Sequence, residues 1–462
     1  MTDQLEDRLE RTLTAQAQTL PSLPDRGPSA HPLVRQDTAR VSWSRPAAGV
    51  FAAVVVLVLI GGPAWLLTRV PGTIEPAVPS GSATTGLPMD WSLSNPAPDG
   101  WNLGPVASSD PGTVLIGHSQ EGSQARAWFT SDGANWDEIA AFDGGVVIRD
   151  LVGGSFGFLA SGLRLPSAEE TTTTLSEAES QSLATSTIWY SPDGMTWTET
   201  AVPAPPVEER LSDTVDYDAR RAAGNSRVMV AVGDETDESG GGDMADGVQV
   251  IPSRPLVWWS EDGSTWQLVD EPAWRAATST MGVAASNDRV AVVIAFGGES
   301  PYSSVWTSLD GRNWELAQRF EQGTFCGLAG SPRGFIATCN DGTTRFSVDG
   351  SVWEPSYLSP VGYQVGLITG GETGFAAILV PADIDPRTSD MSQVTTAVYQ
   401  SSDGRRWESV SEPATFASGF LASGLGFSDR GFIVVGDRYG PGAMIDQIGS
   451  IVAETWIGVP QS

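Results

Sequence analysis

The chain of 462 residues has 56 acidic and 26 basic side chains, a formal net charge of −30, and all of its basic residues are Arg. This charge argues against a nucleic-acid partner, because phosphate binding requires a basic surface. Apolar residues make up 40% of the chain, with 17 Trp and only two Cys, so a sizeable hydrophobic core is expected, and both a disulfide framework and a disordered acidic chain are excluded.

The first 45 residues are predicted to be a short cytoplasmic segment. Leu5, Leu9 and Leu13 recur at the spacing of one helical face. This helix either docks on a cytoplasmic partner or is only marginally formed, since roughly 15 residues are near the limit of independent helix stability. A Pro-rich linker follows. Residues 1–46 contain six Arg and six acids, so the net charge of −30 belongs to the rest of the chain.

Residues 46–68 form an uncharged, mostly apolar run of 23 residues, which predicts a transmembrane helix across a hydrocarbon core of roughly 30 Å. A cleaved signal peptide is the alternative, but its apolar region would be shorter and nearer the N-terminus. Arg35, Arg40 and Arg45 precede the run and only Arg69 follows it closely, which predicts a single-pass protein of the cell membrane with a cytoplasmic N-terminus and an extracellular C-terminus. Residues 69–88 are a second linker, rich in Pro, Ser, Thr and Gly.

Beyond this linker, the pattern [ST]-x-D-G-x-x-W occurs six times. Asp-Gly between two apolar runs predicts a hairpin, because Gly accepts a positive φ and the Asp carboxylate can accept backbone N–H groups in the turn. The Trp begins the next strand. The motif residues are Asp132, Gly133 and Trp136; Asp193, Gly194 and Trp197; Asp262, Gly263 and Trp266; Asp310, Gly311 and Trp314; Asp349, Gly350 and Trp353; and Asp403, Gly404 and Trp407.

Each motif follows two further strand-like stretches, so one unit reads as four antiparallel strands, a to d. Near the C-terminus, LGFSDRGFIVVGD and SIVAETWIG supply strands a, b and c without a strand d, and MDWSLSN (89–95) is available to complete that unit. A ring closed by its two termini is typical of a β-propeller, and the shortest interval, from Asp310 to Asp349, matches a propeller repeat of about 40 residues. We therefore predict an all-β fold over 89–462, a seven-bladed β-propeller with a six-bladed ring as the alternative. A β-solenoid would not split a unit between the termini.

The repeated turns resemble the Asp-box, or bacterial neuraminidase repeat, whose usual form is S-x-D-x-G-x-[TS]-W. The present copies lack the residue between Asp and Gly. The resemblance covers 89–462 and implies a propeller whose boxes lie on the c–d turns, away from the ligand face. Asp-boxes occur in sialidases, other glycosidases and non-enzymatic receptors. The nearest match to the Arg-Ile-Pro motif of a sialidase, Arg164-Leu165-Pro166, follows the first box instead of preceding it, and no Arg triad or Tyr–Glu pair is recognisable.

In such a blade, the b–c and d–a connections share one rim, and the a–b and c–d turns share the other. Three b–c loops are long and acidic, 163–187, 233–255 and 380–394, so we expect a ligand site at their rim. Asp234, Asp237 and Asp243 are candidates for a Ca²⁺ site, since Ca²⁺ takes six to eight oxygen ligands. The stretch does not match an EF-hand loop, so a solvated acidic tract is the alternative, and no other cofactor is expected.

Cys326 and Cys339 are predicted to lie on strands a and b of the fifth blade, as a disulfide or as two buried thiols. The motif Trp residues are predicted to pack between blades. Trp101 and Trp274 lie outside the motif register and are candidates for exposed aromatic contacts.

These features favour a membrane-anchored extracytoplasmic binding module for a polypeptide, glycan or cell-envelope ligand, because no catalytic set is recognisable. A sialidase-like extracytoplasmic glycosidase is the first alternative; it predicts two carboxylates about 5–10 Å apart at the channel mouth, beside exposed Arg or aromatic side chains. A transmembrane sensor that signals through the N-terminal helix is the second.

Overall fold

The computed structural model describes residues 89–94 and 101–460, except for 120–123, 140–141, 143–144, 167–183, 207, 209, 212–215, 238–242, 246–247, 251, 299, 359, 361, 385–388, 412–414, 417, 429 and 441–450. The predicted cytoplasmic segment 1–45, the predicted span 46–68 and the linker 69–88 lie outside the described residues, as does most of the loop 163–187. Among the residues that the structure does describe, no helix is long and apolar enough to cross a membrane.

The described residues form thirty strands. In chain order they are β1 (Met89–Leu93); β2 (Trp101–Ser109), β3 (Gly112–Ser119), β4 (Ala125–Thr130) and β5 (Asp137–Ile139); β6 (Val146–Gly154), β7 (Gly157–Arg164), β8 (Thr185–Ser191) and β9 (Thr198–Ala201); β10 (Asp216–Gly224), β11 (Met229–Thr236), β12 (Asp243–Ala245), β13 (Val248–Val250), β14 (Ser253–Ser260) and β15 (Gln267–Leu268); β16 (Ser279–Ala285), β17 (Val290–Phe296), β18 (Tyr302–Ser308) and β19 (Glu315–Arg319); β20 (Cys326–Ser331), β21 (Gly334–Cys339), β22 (Thr344–Ser347) and β23 (Glu354–Ser356); β24 (Tyr363–Gly371), β25 (Gly374–Pro381), β26 (Ala397–Ser401) and β27 (Glu408–Ser409); and β28 (Phe420–Ser428), β29 (Gly431–Tyr439) and β30 (Ile451–Pro460). Short 3-10 turns cover Pro272–Trp274 and Met391–Gln393.

The strands build seven four-stranded antiparallel sheets, so the prediction of a seven-bladed propeller is confirmed. Six blades are continuous in sequence, and the third carries the hairpin β12–β13 as an insertion between its strands b and c. The seventh has the order β28-β29-β30-β1, with Met89 opposite Pro460 and Leu93 opposite Trp456. The N-terminal strand therefore completes the last blade and closes the ring, as the sequence predicted.

Strands b and c are buried because every blade packs between two neighbours. In β17, all residues except the last are buried, although successive side chains point to opposite faces. Each face contributes to a hydrophobic layer between two blades, such as the one that contains Phe158 and Trp189. This explains why the b strands read as continuous apolar runs instead of alternating patterns.

The a strands line the central channel and approach one another most closely at the rim of the a–b turns. A Cβ atom on Gly153, Gly330 or Gly370 would lie 2.2, 2.2 or 1.6 Å from a backbone oxygen of the preceding blade. The cavity left between these turns is only about 60 Å³, room for a few water molecules. A larger ligand of the channel is therefore expected at the opposite rim.

Six of the seven a strands contain a register shift near their start, at the rim of the b–c loops. The fifth blade has none, and there a disulfide joins Cys326 to Cys339, which lie opposite each other in β20 and β21. A bulge re-aims a side chain and strengthens the local twist. The shifts lie at Leu103/Val106, Ile148/Asp150, Ala219/Arg221, Thr280/Gly282, Val365/Leu367 and Ala422/Gly424.

Candidate binding site at the channel mouth

The six repeated turns use their polar atoms to hold themselves. In each, the Ser or Thr hydroxyl accepts the N–H of the motif Gly at 2.8–2.9 Å, and one Asp oxygen accepts the N–H two residues beyond the Asp at 2.8–2.9 Å. The Gly φ angles lie between 73° and 83°. In the first turn, the amide of Asn135 is the main cause that lowers the pKa of Asp132 below its usual range, helped by the Asn135 side chain and the amide of Ala134.

Five of the six motif Gly also pack on the preceding blade, on the residue just before that blade's Ser or Thr, and Gly133 packs on Ile457 of the seventh blade. A Cβ on Gly194, Gly263 or Gly404 would lie 2.8, 2.4 or 2.1 Å from a side chain of that blade, which is Phe129, Tyr190 or Phe346 respectively. Four motif Trp side chains, Trp197, Trp266, Trp314 and Trp353, donate their indole N–H to the carbonyl of their own motif Gly at 2.8–3.1 Å. We refer to this end as the box rim; its motif residues join blades and leave few polar atoms for a ligand.

At the opposite end of the channel, two carboxylates lie side by side. Asp218 of β10 and Asp234 of β11 are directly paired across the two strands, a spacing of about 4.5–5.5 Å between Cβ atoms. Arg220 contacts both, with Nη1 3.0 Å from Asp234 Oδ2 and Nε 3.7 Å from Asp218 Oδ2. From the second blade, Arg149 Nε lies 3.3 Å from Asp218 Oδ2. The two Arg side chains therefore offset the repulsion between the carboxylates.

The same group is tied to the fourth blade. Thr280 donates its backbone N–H and its hydroxyl to Asp234 Oδ1 at 2.7 and 3.2 Å, and Arg221 donates to the carbonyl of Met281. Asp234 is buried, and this desolvation raises its pKa, opposed by Arg220 and by the Thr280 hydrogen bonds. Both oxygens of Asp234 are thus engaged by protein donors.

Two further titratable groups extend the cluster toward the first blade. Asp150 of β6 accepts the Ala222 N–H at 3.0 Å, and desolvation raises its pKa. His118 of β3 accepts the Ile148 N–H on Nε2 at 3.2 Å. Burial, with a smaller contribution from Arg149, lowers the pKa of His118 to about 4, so the imidazole is neutral at pH 7. We call the whole group the mouth cluster: His118, Arg149, Asp150, Asp218, Arg220, Arg221 and Asp234.

The mouth cluster retains hydrogen-bonding capacity. Asp218 Oδ1 is buried without a hydrogen-bond partner among the described residues, and the same holds for Arg149 Nε, whose ion pair with Asp218 lacks hydrogen-bond geometry. The Arg149 and Arg220 side chains are 24% and 42% exposed. Three Arg and three Asp balance each other, so the cluster could hold a polar ligand through both donors and acceptors.

Asp234, one of the candidate metal ligands, belongs to β11 and not to a loop, and its two oxygens accept hydrogen bonds from Thr280 and Arg220. The amide of Asp237 donates to the Pro252 carbonyl at 3.0 Å, and Asp243 begins the hairpin β12–β13. No group of three or more His, Cys, Asp or Glu suited to a metal ion occurs in the part of the chain that the structure describes.

The expectation that Trp274 is exposed is wrong. It is buried and packs on Trp306 and Trp314, with ring centroids 5.8 and 5.6 Å apart. Trp101 is half-buried against Trp128 and carries the Arg126 guanidinium 4.8 Å from its ring centroid. These rings therefore belong to blade packing.

Two further features have structural roles. Arg164, the nearest match to a sialidase motif, pairs with Glu199 of β9 and is not part of the mouth cluster. In the loop 380–394, Met391 and Val394 are buried against Tyr439 of the seventh blade.

Solved structures resemble the chain only in fold. The structure of YCF48 from Cyanidioschyzon merolae has 13% identity and a TM-score of 0.42, and the match covers 80% of this chain and 98% of that one. Trypanosoma rangeli sialidase has 10% identity and a TM-score of 0.37, covering 77% of this chain and 54% of the sialidase. The β-propeller domain of the Trilobed protease from Pyrococcus furiosus has 10% identity and a TM-score of 0.43, covering 77% and 95%. No family model and no curated protein matches the chain.

Proposed function

We propose that the protein is a membrane-anchored extracytoplasmic β-propeller that binds a polypeptide, glycan or cell-envelope ligand at the mouth cluster. The observation that carries this proposal is the contrast in polar atoms between the two ends of the channel. The motif hydroxyls and Asp carboxylates accept hydrogen bonds within their own turns, and among the described motif side chains only Trp136 Nε1 is buried without a partner. The mouth cluster instead combines partly exposed Arg149 and Arg220 with the buried, unpartnered carboxylate oxygen Asp218 Oδ1. Buried polar atoms without partners are rare, and a ligand that supplies the partner is one explanation for them.

Binding is favoured over catalysis by the way Asp234 is held. A general acid must place its proton within hydrogen-bond reach of the substrate. In Asp234, one oxygen accepts from Thr280 and the other from Arg220, and the residue is buried. Asp150 likewise accepts a backbone N–H from the next blade. These carboxylates orient Arg side chains and join blades.

Glycan and peptide arrays probed with the full-length protein in detergent test this proposal. Arg149→Ala should weaken the strongest array signals at least tenfold, because it removes a partly exposed donor from the mouth. Arg227→Ala is the matched control, since this Arg is exposed on the a–b turn of the third blade, and it should leave the signals unchanged. A site at the mouth would be contradicted if Arg149→Ala left the array signals unchanged, or if Arg149→Ala and Arg227→Ala reduced them equally.

A glycosidase is the second candidate, because one specific observation favours it. Asp218 and Asp234 form a carboxylate pair beside two Arg side chains, and the pKa of Asp234 is raised by burial, as in many catalytic acids. Full-length protein that hydrolyses aryl glycosides, and loses this activity in Asp234→Asn, would establish the enzyme. We expect no hydrolysis above the buffer rate.

The membrane anchor is proposed from the apolar run 46–68 and the Arg bias before it. Full-length protein should stay in the membrane pellet after an alkaline carbonate wash, and a variant with Leu57, Leu59 and Ile60 changed to Arg should be released. Release of both proteins would contradict the anchor.

A further inference from the structure

We infer that the box rim of the fourth and fifth blades docks on anionic lipid headgroups of the membrane that the predicted span crosses, which rests on the anchor proposed above. Strand c of every blade ends at the box rim, and in the seventh blade that end is Pro460, which pairs with Met89. The chain that comes from the membrane therefore enters the propeller at the box rim.

The length of the linker keeps this rim near the bilayer. Residues 69–88 join the predicted span to β1. Twenty residues cover roughly 25 Å as a flexible coil and roughly 60 Å as an extended polyproline helix. A tethered propeller meets the bilayer at high effective concentration, so contacts too weak to bind a free protein suffice to orient it.

Exposed apolar side chains mark where the rim would make contact. Leu309 and Val348 are 54% and 61% exposed in the motifs of the fourth and fifth blades, and Val352 is 68% exposed in the fifth. These two turns adjoin, because a Cβ on Gly350 would lie 2.6 Å from the Thr307 side chain. At the position of Leu309 and Val348, the other motifs carry Ser131, Pro192, Glu261 and Ser402. Neighbouring exposed apolar tips are typical of a membrane or protein contact.

Arg side chains flank these tips. Arg289 and Arg333 lie on the a–b turns of the fourth and fifth blades, and Arg406 lies in the motif of the sixth. Among the described residues, none of the three makes an ion pair within 4.0 Å. In the fifth motif, hydrogen bonds from Ser351 chiefly lower the pKa of Asp349, and the charge of Arg289 adds to this effect.

The distribution of acids favours the same orientation. The chain beyond residue 46 carries the whole net charge of −30, and strands β7, β11 and β25, which lead into the three acidic b–c sequences, end at the rim opposite the boxes. The box rim also carries the six motif Asp, but their carboxylates accept hydrogen bonds within the turns and lie near Arg side chains and apolar tips. An anionic bilayer would therefore repel the opposite rim more strongly. Docking by the box rim would leave the mouth cluster facing away from the membrane, open to a ligand.

Site-specific fluorescence quenching tests this orientation. Full-length protein is placed in nanodiscs of phosphatidylglycerol and phosphatidylcholine that contain headgroup-nitroxide lipid, with a fluorophore on Val352→Cys. Asn135→Cys, at the same motif position in the first blade, is the matched control within the rim, and Glu321→Cys reports on the opposite rim. The two native Cys are bridged and do not react. We expect at least twofold stronger quenching at 352 than at 321, with 135 between them, and weaker quenching at 352 in pure phosphatidylcholine.

Substitution of the apolar tips gives the second measurement. With the label at 352, Leu309→Ser combined with Val348→Ser should at least halve the quenching, whereas Leu93→Ser, which removes an equally exposed Leu from β1, should not. All three side chains are exposed, so the fold should be retained. Quenching that is equal at 352 and 321, while the chain remains in the discs, would overturn the docking alone. Loss of the full-length chain from vesicles after a carbonate wash would refute the anchor, and the docking with it.

Discussion

The two ends of the same channel follow different rules. At the box rim, six turns repeat one set of hydrogen bonds with nearly identical Gly angles. At the mouth, one repeated strand position differs from blade to blade: His118, Asp234 and Asp437 occupy it in three blades, whereas Leu163 and Val380 occupy it in two others. Contacts that repeat from blade to blade are those that the fold requires, whereas the differing side chains at the mouth are the reason that we propose a ligand site there.

Burial sharpens this contrast. The motif hydroxyls and Asp carboxylates accept hydrogen bonds within their turns, and Trp136 Nε1 is the one motif side-chain atom that is buried without a partner among the described residues. At the mouth, the unpartnered buried atoms are carboxylate oxygens, Asp218 Oδ1 and Asp437 Oδ1. Such atoms cost free energy in the ligand-free protein. Replacing an unpaired carboxylate at the mouth is therefore expected to raise the free energy of unfolding, whereas substitutions in the box turns are expected to lower it.

The largest expected effect is the loss of stability when a box Gly is replaced. Gly263→Ala combines a φ of 74° with a Cβ 2.4 Å from the Tyr190 ring, whereas Gly298→Ala has a φ of 94° and nothing within 4 Å. We expect a loss of roughly 2–5 kcal/mol for the first and about 1–2 kcal/mol for the second. Urea unfolding of both variants measures this. Equal losses would mean that the box does not join blades.

The next effect concerns the fifth blade, whose a strand lacks the bulge and carries the disulfide. Replacing Cys326 and Cys339 by Ala should lower the free energy of unfolding by about 3 kcal/mol, since a loop of 13 residues is no longer closed in the unfolded chain. Thermal unfolding in the absence of reductant compares this variant with the native protein. An unchanged midpoint would show that this end of the blade needs no covalent bond.

A pH dependence separates the mouth from the boxes. Desolvation raises the pKa of Asp437 to about 6. Because this value lies above that of the unfolded chain, about 3.9, the folded protein takes up a proton and is stabilised below pH 4, and this contribution is lost as the pH rises through 6. Asp437→Asn should therefore be more stable than the native protein at pH 7.5, by on the order of 2 kcal/mol, and equally stable at pH 4.

Urea titrations at both pH values check this expectation. The difference between the two proteins isolates Asp437 from His118, whose lowered pKa of about 4 makes the folded protein lose stability as the pH falls from 6.5 to 4. A stability difference that does not change between pH 4 and 7.5 would show that Asp437 is paired or solvated.

The smallest effect is expected at a surface contact of the boxes. Arg312 pairs with Glu261 at 2.6 Å and lies 4.1 Å from the centroid of the Trp259 ring, but both charged side chains are at least half exposed. Arg312→Ala should cost only about 0.5–1 kcal/mol. Thermal unfolding at low and high salt tests this, and a loss above about 2 kcal/mol would show that the charge contributes as much as the Gly.

The ring could be predicted because its signals are local. An Asp-Gly turn between apolar runs defines each hairpin by itself, and Met89–Leu93 was identifiable as the missing strand because the last unit ended without one. The packing of each motif Gly on the preceding blade was not predicted, although a signal existed: Phe129, Tyr190, Trp259 and Phe346 all stand directly before the motif Ser or Thr.

The mouth cluster could not be found in this way. Arg149 and Asp218 meet only because two bulged strands, 69 residues apart in sequence, lie side by side in the ring, and a one-residue bulge leaves no mark in composition. Asp234 was assigned to a loop because β11 continues into an acidic stretch that resembles one. Trp274 was expected at the surface because no periodicity indicated that the 3-10 turn Pro272–Trp274 folds it onto Trp306.

Hydrogen–deuterium exchange of the full-length protein, with and without the strongest ligand from the arrays, tests the central claim most directly. The account predicts that the ligand slows exchange in the a strands of the second to fourth blades, at 146–150, 216–222 and 279–282, and leaves the boxes at 131–136, 192–197 and 347–353 unchanged. Protection confined to the boxes, with the mouth unaffected, would contradict it.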